Sequence, residues 1–299
     1  MVGSLESLFD QIFDYAGMFP PARLSMDDTV TEYMEQFRGR HVSMLGRLVV
    51  PSIRLPEFAD YLENTTLEIE IPTVVIGQGS NTYDQWGSVL EEDAKLMTSF
   101  INRVGDLAGI SAYEIRLPNH DHTERCLKDL GAFSEIDVFV ETPISDGLED
   151  SMAAIAVTEW IGAKARTGGL TADAFPTPEQ LARFLHSAMS VDIPFKLTAG
   201  LHHPFPVRDS ETGGNMHGFV NVLTACALSV GYDLSRNEMA QVLKDRESSH
   251  WRIRNDGFDW GDTSIGMEEI EAVRDVFVAI GSCSIEEPVS DLQELGWLV

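Results

Sequence analysis

Cysteine, lysine and long apolar runs are all scarce in this chain of 299 residues. The three cysteines, Cys126, Cys226 and Cys283, are far apart and match neither a disulfide framework nor a zinc-binding spacing. No apolar run approaches the roughly 18 residues of a membrane helix, and the N-terminal segment lacks the basic start of a signal peptide. These absences favour a reduced, soluble protein in the cytoplasm.

Positive charge is also in short supply. Lys and Arg number 21 against 48 Asp and Glu, which gives a formal net charge of −27. So acidic a surface repels phosphate backbones and anionic lipids, so we expect neither a nucleic-acid nor a membrane partner. Only five of the cations are lysines, at positions 95, 128, 164, 196 and 244. An acidic, lysine-poor composition is typical of a protein adapted to high salt, or of a GC-rich genome that favours arginine, and both interpretations stay open.

Short β-rich segments alternate with longer amphipathic segments along the chain, which predicts repeated βα units around a parallel sheet. The clearest predicted strands are Arg47–Val50, Pro72–Ile76, Ala112–Leu117, Asp137–Glu141, Ala163–Thr167 and Pro194–Thr198. The segment Gln11–Tyr15 supplies a first strand. The segment Trp251–Arg254, followed by a helix over Met267–Ile280, supplies a last one.

Eight βα units is the number that closes a barrel, and the chain has about the length that such barrels need. No predicted strand runs into a glycine-rich dinucleotide or P-loop motif, which argues against an open doubly wound sheet. We therefore expect an α/β protein consisting of a single (β/α)8 TIM barrel domain over residues 1–299. Long loops are predicted at the C-terminal face over residues 202–215 and 255–266, and a capping box from Ser284 to Glu287 predicts a terminal helix.

Charged residues lie near the ends of strands that should be apolar. Alternation along a strand places Lys164 with Arg166 on one face, and Lys196 with Thr198. The preceding strands contribute Glu114 with Arg116, and Glu141. Since unpaired charge is costly to bury, these groups must pair with one another or bind a ligand. Four bases against two acids favour a small anionic ligand, with phosphate or carboxylate as its charged group.

Two lysines occupy equivalent positions on successive strands, in Lys164-Ala-Arg-Thr-Gly168 and Lys196-Leu-Thr-Ala-Gly200. Together with the preceding strand end Glu141-Thr142, this pattern resembles the deoxyribose-phosphate aldolase group of class I aldolases over residues 137–200. The resemblance implies that Lys164 forms a Schiff base with a carbonyl substrate and that Lys196 lowers the pKa of its amine. The chemistry agrees, since a lysine attacks a carbonyl only when neutral and a nearby cation disfavours its ammonium form.

The residues around these lysines suit an anion. Arg166 offers a bidentate clamp, and Thr167, Gly168 and Gly169 allow close backbone approach to a phosphate. The sequence departs from the family in two places. Arg166 stands where the family has a small hydroxyl residue, and Leu201-His202-His203-Pro204 replaces a glycine-rich phosphate loop. The acidic residue of the family's proton relay is not placed by a motif, although Glu114 is available.

Three histidines after the seventh predicted strand leave two interpretations open. His202, His203 and His217 are candidates for moving protons together with Glu141, in an enzyme without a cofactor. Alternatively, His202 or His203, His217 and Glu141 form a divalent-metal site of a lyase or hydrolase. The pair His120 and His122 is interpreted as a solvated turn rather than as metal ligands.

Two further residues are candidates for substrate binding. Asp14 belongs to the first predicted βα loop region and could reach the site, and Arg47 on the second predicted strand could add to an anion clamp. A third possibility is a barrel that binds an anionic small molecule without turning it over. The oligomeric state stays open.

Overall fold

Eight parallel strands close into a barrel in the computed structural model, which describes residues 3–67, 69–118 and 122–298. The strands follow one another around the barrel in chain order, and the last pairs with the first. They are β1 (Phe13–Tyr15), β2 (Leu45–Pro51), β3 (Ile71–Ile76), β4 (Ala108–Arg116), β5 (Asp137–Glu141), β6 (Ile161–Arg166), β7 (Phe195–Thr198) and β13 (Phe277–Ser282), with five short strands between the last two. This architecture confirms the predicted (β/α)8 TIM barrel.

Helices surround the barrel and bury their apolar faces against it. They are α1 (Gly3–Phe9), α2 (Met26–Phe37), α3 (Leu55–Glu63), α4 (Tyr83–Val104), α5 (Thr123–Asp129), α6 (Leu148–Ala156), α7 (Pro178–Ser190), α8 (Phe219–Tyr232), α9 (Arg236–Lys244), α10 (Met267–Val276) and α11 (Glu286–Glu294). The start of α7 shows how local sequence sets a boundary. Thr177 and Gln180 form a capping box there, and Pro178 occupies the first turn, where its missing N–H costs nothing.

An apolar layer inside the barrel supports the charged residues. Val49, Val74, Ala112 and Phe139 belong to one buried cluster contributed by four neighbouring strands. Glu114 follows Ala112 by two residues on β4, so strand alternation directs its side chain into the interior as well. The apolar layer therefore places Glu114 in a dry environment within the barrel.

The eighth barrel strand is not the predicted one. Trp251–Arg254 pairs antiparallel with Gly257–Trp260 in a separate sheet, and the barrel is closed by β13, which the sequence analysis had assigned to the end of a helix over 267–280. That helix ends at Val276. An apolar run directly after an amphipathic helix has no intervening turn residue, which is why periodicity extended the helix through it.

Both segments predicted as long irregular loops contain strands. The segment after β7 holds the two-residue strands β8 (Val207–Arg208) and β9 (Asn215–Met216). Residues 251–266 form the antiparallel sheet of β10 (Trp251–Arg254), β11 (Gly257–Trp260) and β12 (Thr263–Gly266), which corrects the prediction for 255–266. This sheet contacts α1 and α10. Within the described ranges, no helix is both long and apolar enough to cross a bilayer.

Candidate active site

Six charged side chains form a continuous row inside the barrel, which we call the charge row. Positive and negative groups alternate along it in the order Arg47, Asp14, Lys196, Glu114, Lys164 and Glu141. The Glu114 carboxylate accepts from Lys164 Nζ through Oε2 at 2.8 Å and from Lys196 Nζ through Oε1. Lys196 Nζ also donates to Asp14 Oδ2 at 2.5 Å. One carboxylate therefore joins the two lysines.

Strand register explains why these residues meet. Lys164 pairs with Lys196 across β6 and β7, and Glu141 pairs with Lys164 across β5 and β6. Residues level with one another on parallel strands point to the same side of the sheet, which here is the barrel interior. The two lysines predicted to share a site do share one.

The centre of the charge row is withdrawn from water. The side chain of Lys164 is 6% exposed, that of Lys196 is 2% exposed and that of Glu114 is 5% exposed. Charges so deeply buried persist only when they are paired, and here each has a partner of opposite sign. The Lys196 ammonium also lies 5.3 Å from the centre of the Phe139 ring, where the ring's electron density favours a cation.

The pKa values follow from this pairing. Burial alone would raise the pKa of Glu114, but Lys164 and Lys196 outweigh it and hold that pKa well below its usual range. Burial would lower the pKa of Lys164, but Glu114 and Glu141 outweigh it and raise that pKa. The expected lowering of the pKa of Lys164 is therefore wrong. The prediction counted the neighbouring cations and not the carboxylates between them.

A cavity of about 560 Å³ opens above the charge row at the C-terminal ends of the strands. Lys164, Lys196, Glu114 and Glu141 line it. A barrel of this kind places its reactive groups at this face, because the βα loops there vary independently of the scaffold. The cavity is large enough for a small metabolite, and a molecule bound in it would lie next to both lysines.

Both basic and acidic side chains line the cavity. Arg166 and Arg208 line it and form no ion pair with any residue in the described ranges. Asp209 and Glu211 line it as well. The predicted surplus of positive charge is therefore absent over the whole cavity. Arg166 and Arg208 are the two guanidinium groups on its wall that have no carboxylate partner among the described residues.

Only some of the residues predicted to bind a phosphate line the cavity. Gly169 and Thr198 line the cavity. Thr167 and Gly168 do not line it. The Thr167 hydroxyl instead donates to the backbone carbonyl of Ala199, and a Cβ on Gly168 would lie 2.8 Å from the Phe175 ring. These two residues join the ends of β6 and β7, so their role in binding substrate is not supported.

Three other predicted substrate-binding residues are turned away from the cavity. Arg116 donates to Asn81 Oδ1 at 2.8 Å and lines a separate, smaller cavity beside β4 and β5. Arg47 donates to Asp14 Oδ1 through its backbone N–H at 2.8 Å and its Nε at 3.3 Å. Asp14 therefore contacts Lys196 and Arg47 contacts Asp14, whereas Arg116 belongs to the wall of the smaller cavity.

The histidines do not converge on a metal. His202 and His203 line the cavity, but each pairs with a different carboxylate of the terminal segment, Glu287 and Asp291. His217 is buried and its Nε2 donates to the Pro176 carbonyl at 2.7 Å, so it is a structural contact. Within the described ranges, no group of three or more His, Cys, Asp or Glu side chains is arranged to hold a metal ion. The predicted ligand set therefore does not form a site.

Of the histidine pair after β4, only His122 belongs to the described residues. His120 lies outside the described residues. The His122 ring packs against that of Tyr83 at 4.9 Å between centroids.

Sequence analysis missed a thiol on the wall of the cavity. Cys283 directly follows β13 and lines the cavity together with Glu287. The misplaced eighth strand concealed Cys283, because a residue just after a barrel strand lies at the active face. Glu287 was interpreted as part of a capping box. Its backbone N–H does donate to Ser284 Oγ at 3.2 Å, but its side chain turns to His202 instead.

Comparison with known proteins adds no assignment: no family model matches the chain, and no curated protein matches it.

Proposed function

We propose that the protein is a carbon–carbon lyase of aldolase type, in which Lys164 forms a Schiff base with a small anionic carbonyl compound. The observation that carries the proposal is the Glu114 carboxylate shared by Lys164 and Lys196 at the floor of an open cavity. Barrels of this fold are commonly enzymes, although the fold alone does not select a reaction. The paired lysines with an acid between them are what favour Schiff-base chemistry.

Glu114 is the proposed group that holds Lys164 for the first step, and the ammonium proton of Lys164 leaves to water, because a carboxyl with so low a pKa does not keep it. Lys164 attacks only as a neutral amine, and Oε2 of Glu114 lies 2.8 Å from its Nζ. The amine nitrogen bonds to the carbonyl carbon while the carbonyl π bond breaks, and loss of water then leaves an iminium. Lys196 keeps the site compact through its contact with Asp14.

Glu141 is the proposed base for cleavage. Its Oε2 lies 3.6 Å from Lys164 Nζ, so it faces the carbon that the Schiff base would hold. It takes the proton of the substrate hydroxyl, the carbon–carbon bond breaks, and its electron pair moves into the iminium. Arg166 and Arg208 are the proposed partners of the anionic group, because they line the cavity without a carboxylate partner among the described residues.

The proposal is tested by reductive trapping. The purified protein is incubated with acetaldehyde, pyruvate or dihydroxyacetone phosphate and with sodium cyanoborohydride, and the modified lysine is identified by peptide mass spectrometry. We expect the adduct at Lys164. Lys95, whose side chain is 72% exposed, is the internal reference for nonspecific reaction. Because the pKa of Lys164 is raised, we expect its trapping rate to grow by about tenfold per pH unit above neutrality.

Lys164→Arg is the matched variant, because it keeps the positive charge beside Glu114 and cannot form a Schiff base. We expect this variant to fold and to lose the specific adduct. Modification of Lys95 and Lys164 at equal rates, or no adduct with any of the compounds, would count against the lyase. If an anionic compound binds without forming an adduct, the protein is a binder of the kind the sequence also allowed.

A further inference from the structure

A thiol, an imidazole and a carboxylate are arranged in a row on the wall of the same cavity. Cys283 Sγ lies 4.0 Å from His202 Nε2, and His202 Nδ1 lies 3.0 Å from Glu287 Oε2. The three residues come from the end of β13, the loop after β7 and the first turn of α11. All three line the cavity. Neither the charge row nor the proposed lyase reaction uses them.

The order of these groups is that of an activated nucleophile. A thiol next to an imidazole whose far nitrogen lies beside a carboxylate is the arrangement that cysteine nucleophiles use. His202 is buried, which alone would lower its pKa, but Cys283 and Glu287 outweigh burial and raise that pKa to about 9. His202 therefore lies between a thiol and a carboxylate, with one ring nitrogen toward each, so its imidazole is placed to exchange a proton with Cys283 Sγ.

The other two cysteines differ from Cys283 in burial and in access to the cavity. Cys126 and Cys226 are fully buried, and burial raises the pKa of each thiol. Cys283 is partly exposed and open to the cavity. His203 provides a similar contrast among the histidines, because it pairs with Asp291 at 2.7 Å and none of the described cysteines contacts it. Only one of the three thiols therefore has both an activating partner and access.

We propose that Cys283 is a second nucleophile of this cavity, which adds reversibly to small aldehydes with His202 as the proton donor. The thiol proton of Cys283 passes to His202 Nε2, Sγ bonds to the aldehyde carbon, the carbonyl π bond breaks toward oxygen, and His202 returns the proton to that oxygen. The product is a hemithioacetal, and neither an oxidant nor a leaving group is needed. The choice of an aldehyde rests on the proposed lyase function, in which Lys164 on the floor of the same cavity reacts with a carbonyl group.

The first test compares alkylation rates. Iodoacetamide is added to the unmodified protein at about pH 6, and labelling of the three cysteines is followed by mass spectrometry. We expect Cys283 to react about tenfold faster than free glutathione, because His202 Nε2 lies 4.0 Å from its Sγ and can take its proton. His202→Gln and Glu287→Gln should each slow this reaction, and His203→Gln should leave it unchanged. Reaction of Cys283 no faster than glutathione would overturn the proposal, whatever the variants do.

The second test identifies the adduct. Carbon-13 NMR with glyoxylate labelled at its aldehyde carbon should show a hemithioacetal signal that Cys283→Ser removes. Glyoxylate should also protect Cys283 from iodoacetamide in both the unmodified protein and Lys164→Arg. Protection that disappears in Lys164→Arg would mean that a Schiff base merely blocks the cavity, which overturns the second nucleophile and supports the lyase. Protection in both proteins, with no trapping at Lys164, would sustain the thiol and reject the lyase.

Discussion

At the scale of single residues, Glu114 determines the charge arrangement of the site. Its two carboxylate oxygens each serve a different lysine, so neither ammonium group is left alone in the barrel interior. Each lysine has a second acid as well, Glu141 for Lys164 and Asp14 for Lys196. Removing the shared acid would leave two buried cations close together, with one carboxylate for each.

We expect Glu114→Gln to lower the free energy of unfolding by roughly 3–5 kcal/mol at neutral pH, since it leaves buried charge uncompensated. Chemical denaturation measures this difference. Glu63→Gln is the matched control, because Glu63 also pairs with a cation, Arg103, but at the surface. The control should change stability very little. Equal effects of the two substitutions would show that burial adds nothing to the Glu114 pairing.

The pH dependence of that difference follows from the pKa of Glu114, which the lysines lower to about 2. A carboxyl with a lowered pKa contributes stability above its unfolded value of about 4.3 and loses it as the pH falls through the folded value. The gap between the unmodified protein and Glu114→Gln should therefore be constant near neutrality and shrink between about pH 4 and pH 2. A gap that widened with acid would contradict the direction of the shift.

At the scale of elements, the turn after β7 connects the lysine strand to the cavity wall. Ala199 and Gly200 both have positive φ, at 61° and 74°, and a Cβ on Gly200 would lie 3.0 Å from the Thr167 carbonyl oxygen. We expect Gly200→Ala to destabilise the protein by about 1–3 kcal/mol. Ala199→Gly should be neutral or slightly stabilising, because it relieves left-handed strain. Thermal unfolding of the two variants tests this contrast, which equal melting temperatures would refute.

The sequence pattern predicted a barrel strand correctly wherever a helix and turn residues separate that strand from the next one. The strands that carry Glu114, Glu141, Lys164 and Lys196 were therefore placed correctly, and alternation gave the side they face. The eighth strand follows α10 without a break, so local pattern could not separate them. Its closing of the barrel depends on pairing with β1 and β7, which lie far away in sequence. Because that strand was not predicted, Cys283, which directly follows it, was not recognised as a residue of the cavity.

The ion pairs within the site could not be predicted from the sequence either. Alternation predicted that Lys164 and Lys196 share a face, but it does not say which acids lie between them or how close they come. The direction of the pKa shift of Lys164 depends on those distances. His217 shows the same limit, since only the folded loop reveals that its ring is bound to the Pro176 carbonyl.

At the scale of the whole molecule, the formal charge of −27 destabilises the folded state through repulsion between like charges, and added salt should weaken this repulsion. The screening length falls from about 30 Å at 0.01 M salt to about 3 Å at 1 M, so repulsion between distant surface carboxylates is removed, and buried pairs are affected much less.

We expect the melting temperature at about pH 7.5 to rise by several degrees between low salt and about 1 M KCl, as screening weakens this repulsion. Near the isoelectric point of about 4.4 the net repulsion is already gone, so the increase should largely vanish there. Glu114 stays ionised at that pH, because the lysines hold its pKa at about 2. Sucrose at matched osmolality controls for general exclusion effects. An equal increase at both pH values would refute charge repulsion as its cause.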